Sequence, residues 1–258
     1  MQQYIAWLMA FMLSKAPVDR PHYIPEAKET PADTRVRYEQ IANDIAEVLK
    51  TERPLFKGKD GKIRTSSVIM SVMFHESGFR RDVDLGLGKL AKGDNGNSVC
   101  MMQLNIGKGK TMKWNTVQDR AALPSDPPSE VQEGWTAKEI LADRKKCIRA
   151  GLRVLRLSFG ACSSMPQKDW LRVYASGSCQ GGAKESASRM GLAMRWYSAH
   201  PPGFDDSVLL PPAAPPSQPA APPQSTPSAT APTTQAFGPV TLTDKDMLAR
   251  LLQNYVGK

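Results

Sequence analysis

Glu76 sits in an apolar run where a charge is out of place. It follows Val72 by four residues and Met73 by three, and in a helix that spacing puts it on one stripe with Val68, Val72 and Met73. Carboxylates are rarely placed on such a stripe unless they are paired or used. Apolar surroundings disfavour the anion, and a helix C-terminus presents negative partial charge, so both raise the affinity of the group for its proton. A carboxyl that stays protonated near neutral pH can act as a general acid, delivering a proton to the leaving oxygen of a glycosidic bond. The competing reading is a glutamate held by one of the chain's many arginines.

Other constellations fail on spacing. His75-Glu76 opens a zinc-protease HExxH pattern, but the second histidine position is Phe79. Gly109-Lys110-Thr111 resembles the end of a phosphate-binding loop, yet the first glycine position is Leu104. Asp94-Asn95-Gly96-Asn97 has the polarity of a calcium loop, but the twelfth position, which needs a bidentate glutamate, is Asn105, so a turn is expected there. The four cysteines, Cys100, Cys147, Cys162 and Cys179, contain no CxxC pair. Neither metal nor cofactor is expected. Of the three full pairings, the one joining Cys162 to Cys179 is favoured, because these two flank the segment around Tyr174, with Cys100 and Cys147 left over or paired. Four reduced thiols are the alternative.

The elements that must position Glu76 are helical. Asp33 to Lys50 carries Ile41, Ile45, Val48 and Leu49 on one stripe. Thr65 to Ser77 opens on hydroxyl residues suited to capping, is apolar nearly all round, and should be the buried central helix, stopped by Gly78. Thr136 and Glu139 stand in capping-box spacing at the head of a helix running to Gly160, with Arg144, Lys145, Lys146, Arg149, Arg153 and Arg156 on its other face. A fourth helix spans about Lys184 to Ser198. No convincing alternation of strands appears, so the class is mainly α.

Residues 201–239 hold 12 of the chain's 21 prolines among Ala, Ser, Thr and Gln, and read as a linker. Beyond it, Met247, Leu248, Leu251, Leu252 and Tyr255 recur at helical spacing in a terminal helix too short to fold alone, which needs a partner. The division expected is a docking segment at 1–32, a helical domain at 33–200, a linker at 201–240 and a docking helix at 241–258. The first segment carries the apolar stretch Tyr4 to Leu13, far short of the roughly 20 residues of a membrane span, so no integral span is expected. No basic residue precedes that stretch, so a signal peptide fits poorly. With 41% hydrophobic residues and a mean hydropathy of -0.39, the chain has the composition of a soluble domain. The net charge is +9, with +10 on the first 200 residues and -1 on the rest, and the basic part suits a polyanionic partner.

Three short motifs stand in order along this chain: Glu76-Ser77-Gly78-Phe79, Cys100-Met101-Met102-Gln103-Leu104-Asn105 and Tyr174-Ala175-Ser176-Gly177. They resemble the E-S-x-F, G-L-M-Q and Y-N-x-G motifs of the lytic transglycosylase family, related to goose-type lysozyme. The helix from Arg144 to Phe159, with Trp170-Leu171 after it, is similar to that family's segment between its second and third motifs. The resemblance covers Thr65 to Ser198, about half the chain. Cys100 stands where the family usually has Gly, and Ala175 where it usually has Asn. The resemblance implies a lysozyme-like helical domain with a small irregular or β element, acting on the glycan strand of peptidoglycan. Glu76 would be the single acid/base. It would protonate the bond after N-acetylmuramic acid and then take the proton of that sugar's own 6-hydroxyl, closing a 1,6-anhydro ring. Ser77, Met102 and Gln103 would line the saccharide site, and Tyr174 would hydrogen-bond near Glu76.

Two other readings stay open. A muramidase that inverts would need a second carboxylate roughly 6.5–9.5 Å from the acid, and Asp82, Asp84 and Asp94 follow Glu76 in the chain. A non-enzymatic reading is a virion structural protein whose basic helix contacts DNA phosphates or the envelope. An enzyme without a signal peptide would reach the wall in a phage particle, acting in the bacterial periplasm, or as an accessory of a secretion machine, docked through its terminal helices.

Overall fold

The computed structural model describes residues 1–19, 24–88, 91–106, 111–112 and 135–209. The terminal helix expected at 241–258, the linker beyond Leu209 and Gly109-Lys110 lie outside the described residues. Helix α1 (Gln2–Lys15) is followed by α2 (Pro31–Thr51), α3 (Gly61–Ser77) and the short α4 (Arg81–Leu85). Two small antiparallel ribbons come next: β1 (Ser98–Val99) on β2 (Leu104–Asn105), and β3 (Thr111–Met112) on β4 (Trp135–Thr136). Then come α5 (Ala137–Ala142), α6 (Arg144–Ala161), α7 (Arg172–Ser176) and α8 (Ala183–Ala199). The fold is therefore mainly α with a small β element.

Helix α3 is the centre. Ile63, Val68, Ile69, Met70, Val72 and Met73 are fully buried, with α1, α2, α6 and α8 packed round them. The hydroxyl residues expected to cap it lie inside it instead, because the helix begins four residues earlier, at Gly61. Buried hydroxyls need partners. Thr65 donates to the Gly61 carbonyl at 2.7 Å, and Ser66 and Ser67 donate to that of Ile63 at 2.6 and 3.3 Å. The free N–H groups at the start of α3 are met from far along the chain. Asp206 accepts from the N–H of Lys62 at 2.8 Å and of Ile63 at 3.0 Å. At the other end Gly78, with φ 57°, closes the helix through its N–H to the Phe74 carbonyl.

Both outer boundaries differ from those expected. The segment read as a docking helix, α1, belongs to the core: Tyr4, Leu8, Phe11 and Met12 are fully buried. Phe11 meets the Trp196 ring of α8 edge-on at 5.2 Å, the Trp7 indole donates to the His200 carbonyl, and the Tyr38 hydroxyl of α2 donates to that of Ala16. Its apolar face is covered by the chain itself. At the other end, residues 201–209 are not linker. Phe204 packs on Tyr4, Leu209 is fully buried and Asp206 caps α3.

The helix expected from Thr136 to Gly160 is two helices. Thr136 and Glu139 do close a capping box on α5, but Asp143 leaves helical geometry at φ -135° and its carboxylate caps α6 through the Lys145 N–H. Thr30 and Asp33 form a second capping box, at the start of α2. The basic face of α6 is largely turned inward. Arg153 and Arg156 are buried, Glu52 meets Arg149 at 3.0 Å and Arg156 at 2.9 Å, and Arg144 lies between Asp44 and Asp84. Disulfides join Cys100 to Cys147 and Cys162 to Cys179, the second being the pair favoured from spacing.

Replacing Asp206 with Ala should remove the cap of the central helix and lower stability by about 1–2 kcal/mol, which for a chain of this size is a fall of roughly 2–8 °C in Tm. Calorimetry of the purified protein checks it; an unchanged Tm would show that α3 does not depend on this contact.

Candidate active site

Glu76 occupies the last turn of α3, with its side chain 18% exposed, so solvent reaches a group otherwise surrounded by protein. Its partner comes from α8. Arg189 donates through Nε at 3.0 Å and through Nη2 at 2.6 Å, both to Oε1 of Glu76. The backbone of Arg189 is tied to the same helix that carries Glu76, since Ser71 Oγ donates to the Arg189 carbonyl at 2.7 Å. His75 adds a second tie. Its Nδ1 lies 2.7 Å from the Ser71 carbonyl, which can only accept, so Nδ1 carries a proton, and its Nε2 pairs with Ser188 Oγ at 3.0 Å.

Burial raises the Glu76 carboxyl above the ordinary range and is the largest influence; Arg189 and then His75 pull it down, and Asp94 pushes it up. The carboxylate is therefore both paired, as the competing sequence reading had it, and raised in proton affinity. Desolvation outweighs the pair. Such a group takes up a proton more readily than an ordinary glutamate and, with the guanidinium beside it, can carry negative charge once that proton has left.

The turn after α3 is fixed from α2. Phe79 has φ 54°, a left-handed conformation that costs a non-glycine residue energy. Its carbonyl accepts from Arg37 Nη1 at 3.0 Å, and Glu29 holds that guanidinium at 2.6 Å. Ser77, expected to line a saccharide site, is buried; its hydroxyl donates to the Met73 carbonyl and accepts from the Phe79 N–H.

The second motif forms the tight turn between β1 and β2. Cys100 has φ 61° and Gln103 φ 46°, so the position where the resemblance would place Gly does adopt the conformation that glycine favours. The disulfide to Cys147 fastens this turn to α6. Met102 is fully buried, with its sulfur against Gly151 so closely that a Cβ there would lie 2.1 Å from it. Gln103 uses its amide on its own loop: Oε1 accepts from the Gly93 N–H at 2.8 Å, and Nε2 donates to the carbonyls of Ala91 and Cys100 at 3.1 Å each. Neither Met102 nor the Gln103 amide is placed to line a site as expected; both hold the loop that carries Asp94.

Asp94, on that loop, is exposed and close enough to act on the charge of Glu76. It accepts from Ser98 Oγ and Asn105 Nδ2. Asp82 and Asp84 are buried against Arg80 and Arg144. Of the three candidate second carboxylates, Asp94 alone is exposed. The third motif joins the second directly, through the Tyr174 hydroxyl, which donates to the Met102 carbonyl. The Gly93–Asn105 loop and Tyr174 are thus bonded to one another, and Asp94 on that loop acts electrostatically on Glu76.

Comparison of the chain with protein-family models, curated proteins and solved structures finds no match. Among the described residues no cluster of His, Cys, Asp or Glu could hold a metal ion, and no helix is long and apolar enough to cross a membrane.

Arg189 carries no signal in the sequence that would join it to Glu76, whereas Asp94 is one of the three carboxylates that the sequence offers as its partner. Arg189 lies 113 residues away on another helix. For Cys100 a signal existed: a residue standing where a related motif has glycine marks a turn with positive φ.

Two outcomes follow from this geometry. A carboxyl whose folded affinity for its proton exceeds the unfolded one makes the fold lose stability as pH rises from about 4.3 through the raised folded value. The Tm difference between Glu76→Gln and wild type should therefore shift in favour of the variant across that interval, and a constant difference would contradict the raised affinity. Gln103→Ala should cost about 1–3 kcal/mol by leaving the Gly93 N–H without its acceptor, read by denaturant unfolding.

Proposed function

We propose that this protein cleaves the glycan strand of peptidoglycan as a lytic transglycosylase, with Glu76 as its single general acid/base. The observation that carries the reading is Glu76 itself: a partly exposed carboxyl of raised proton affinity at the end of the buried central helix, within electrostatic reach of Asp94 on the loop that leads into the second motif. The order of the three motifs, the left-handed Cys100 and the bond from Tyr174 to the second motif support it.

Protonated Glu76 gives its proton to the glycosidic oxygen as the bond to C1 of the muramyl sugar breaks. The carboxylate left behind then takes the proton of that sugar's 6-hydroxyl while its oxygen bonds to C1, so the ring closes without water and Glu76 is restored. Arg189 accompanies the anionic stage. No metal or cofactor is needed. Carriage in a phage particle, or beside a secretion machine, would bring the protein to the wall.

Asp94 favours a second reading. An exposed carboxylate within electrostatic reach of the acid could activate water, and the products would then be hydrolytic. The DNA-contacting alternative gains less, since of the six basic residues on α6 only Lys145 is exposed.

Digestion of purified peptidoglycan should yield 1,6-anhydro ends, lighter by one water than hydrolysed ends, by mass spectrometry. Glu76→Gln should lower the rate by about 10²–10⁴-fold, and Asp94→Asn should leave it within a few-fold. Predominantly reducing ends, with Asp94→Asn inactive, would assign the protein as a muramidase; wild-type activity in Glu76→Gln would remove Glu76 from the reaction.

A further inference from the structure

Arg189 brings two donors to Glu76, and both go to the same oxygen. Nε and Nη2 lie 3.0 and 2.6 Å from Oε1, whereas Oε2 accepts no hydrogen bond among the described residues. A guanidinium fork more commonly spreads over both oxygens of a carboxylate. Here it divides the carboxyl into one held oxygen and one free oxygen. The fork itself is held firmly: the Arg189 side chain is 12% exposed, its carbonyl accepts from Ser71 Oγ one turn before His75 and Glu76, and Ser188 beside it bonds His75.

We propose that Arg189 is the positioning residue of the site, fixing the rotation of the Glu76 carboxyl through Oε1 so that Oε2 is the oxygen that gives up and takes back the proton. This rests on Glu76 acting as the acid/base. In the first half-reaction the O–H bond at Oε2 breaks and the proton passes to the leaving glycosidic oxygen. In the second, the 6-hydroxyl proton returns to Oε2 and the neutral carboxyl is regenerated, so protons balance over the cycle. In between, the two Arg189 N–H groups face the anion at Oε1. The other charged groups acting on this carboxyl are His75, from its own helix, and Asp94, from the facing loop.

The sign of the effect follows. Arg189 favours the anion, so its removal raises the proton affinity of Glu76, and the acid form then persists to higher pH. Arg189→Met should move the alkaline limb of the kcat/KM profile on peptidoglycan upward by about one pH unit or more and lower kcat by about 10²-fold, with little change in KM. Arg189→Lys keeps the charge but lacks the fork. It should leave the limb near its wild-type position while kcat remains depressed.

A carbon-13 titration of the carboxyls, with Glu76 identified by the resonance missing from Glu76→Gln, reads the same affinity without any turnover. An upward shift in Arg189→Met, folded by circular dichroism, supports the assignment even if the wild type cleaves no wall, an outcome that would count against the proposed reaction alone. An unmoved Glu76 titration in that variant, or wild-type kcat in Arg189→Lys, would overturn the positioning role. Should Arg189→Met fail to fold, Arg189→Lys with wild-type kcat remains the overturning result.

Discussion

The described residues are arranged round the burial of α3. A helix whose apolar residues are covered on every side can present a polar group only at its ends, and its last turn carries Glu76. Four other helices and the segment at Asp206 close round it, each satisfying something the helix cannot satisfy alone: apolar area by α1, α2, α6 and α8, and N-terminal N–H groups by Asp206. Fully burying a side chain such as Val, Ile or Met contributes about 1.5–3 kcal/mol. That is what permits one carboxyl to be held where ionisation is unfavourable.

The same economy governs the positive charge. A chain with net charge +9 suggests a surface built for polyanions, but much of the arginine on α6 neutralises buried acids within the fold. Glu52 is 2% exposed and faces Arg149 and Arg156. Breaking a buried pair of this kind costs about 3–5 kcal/mol, because the remaining charge stays buried without a counter-ion. These residues read as a solvated face when only their helical spacing is considered. Their partners lie on α2, at its C-cap Glu52 and on α4, and the pairing makes them part of the scaffold that carries the second-motif turn.

That turn shows how closely local and distant constraints combine. Cys100, Gln103 and Phe79 all adopt left-handed backbone, which persists only where surrounding contacts over-determine it. Each has such contacts: a disulfide to α6, an amide bonded three times to the loop, and a carbonyl clamped by Arg37. The residues that the motifs single out, Ser77, Met102 and Gln103, hold the shape of the site. Glu76 keeps partial access to solvent and Asp94 is exposed.

Sequence by itself determined the helical class, the central helix and its stop at Gly78, and the capping box at Thr136; it favoured the Cys162–Cys179 pair and singled out Glu76 as a carboxylate on an apolar stripe. These rest on periodicity, end chemistry and short loops, all properties of neighbouring residues. Only the tertiary structure decided that α1 and residues 201–209 belong to the core, that Asp143 breaks the long basic helix, that the arginines face inward, and that Arg189 holds one oxygen of Glu76. An apolar helix shows that it must be covered but not by what, and a charge shows that it needs a partner but not which. Those answers come from residues far apart in the chain, 60 positions for Asp84 and Arg144 and 113 for Glu76 and Arg189, brought together by packing on a common core.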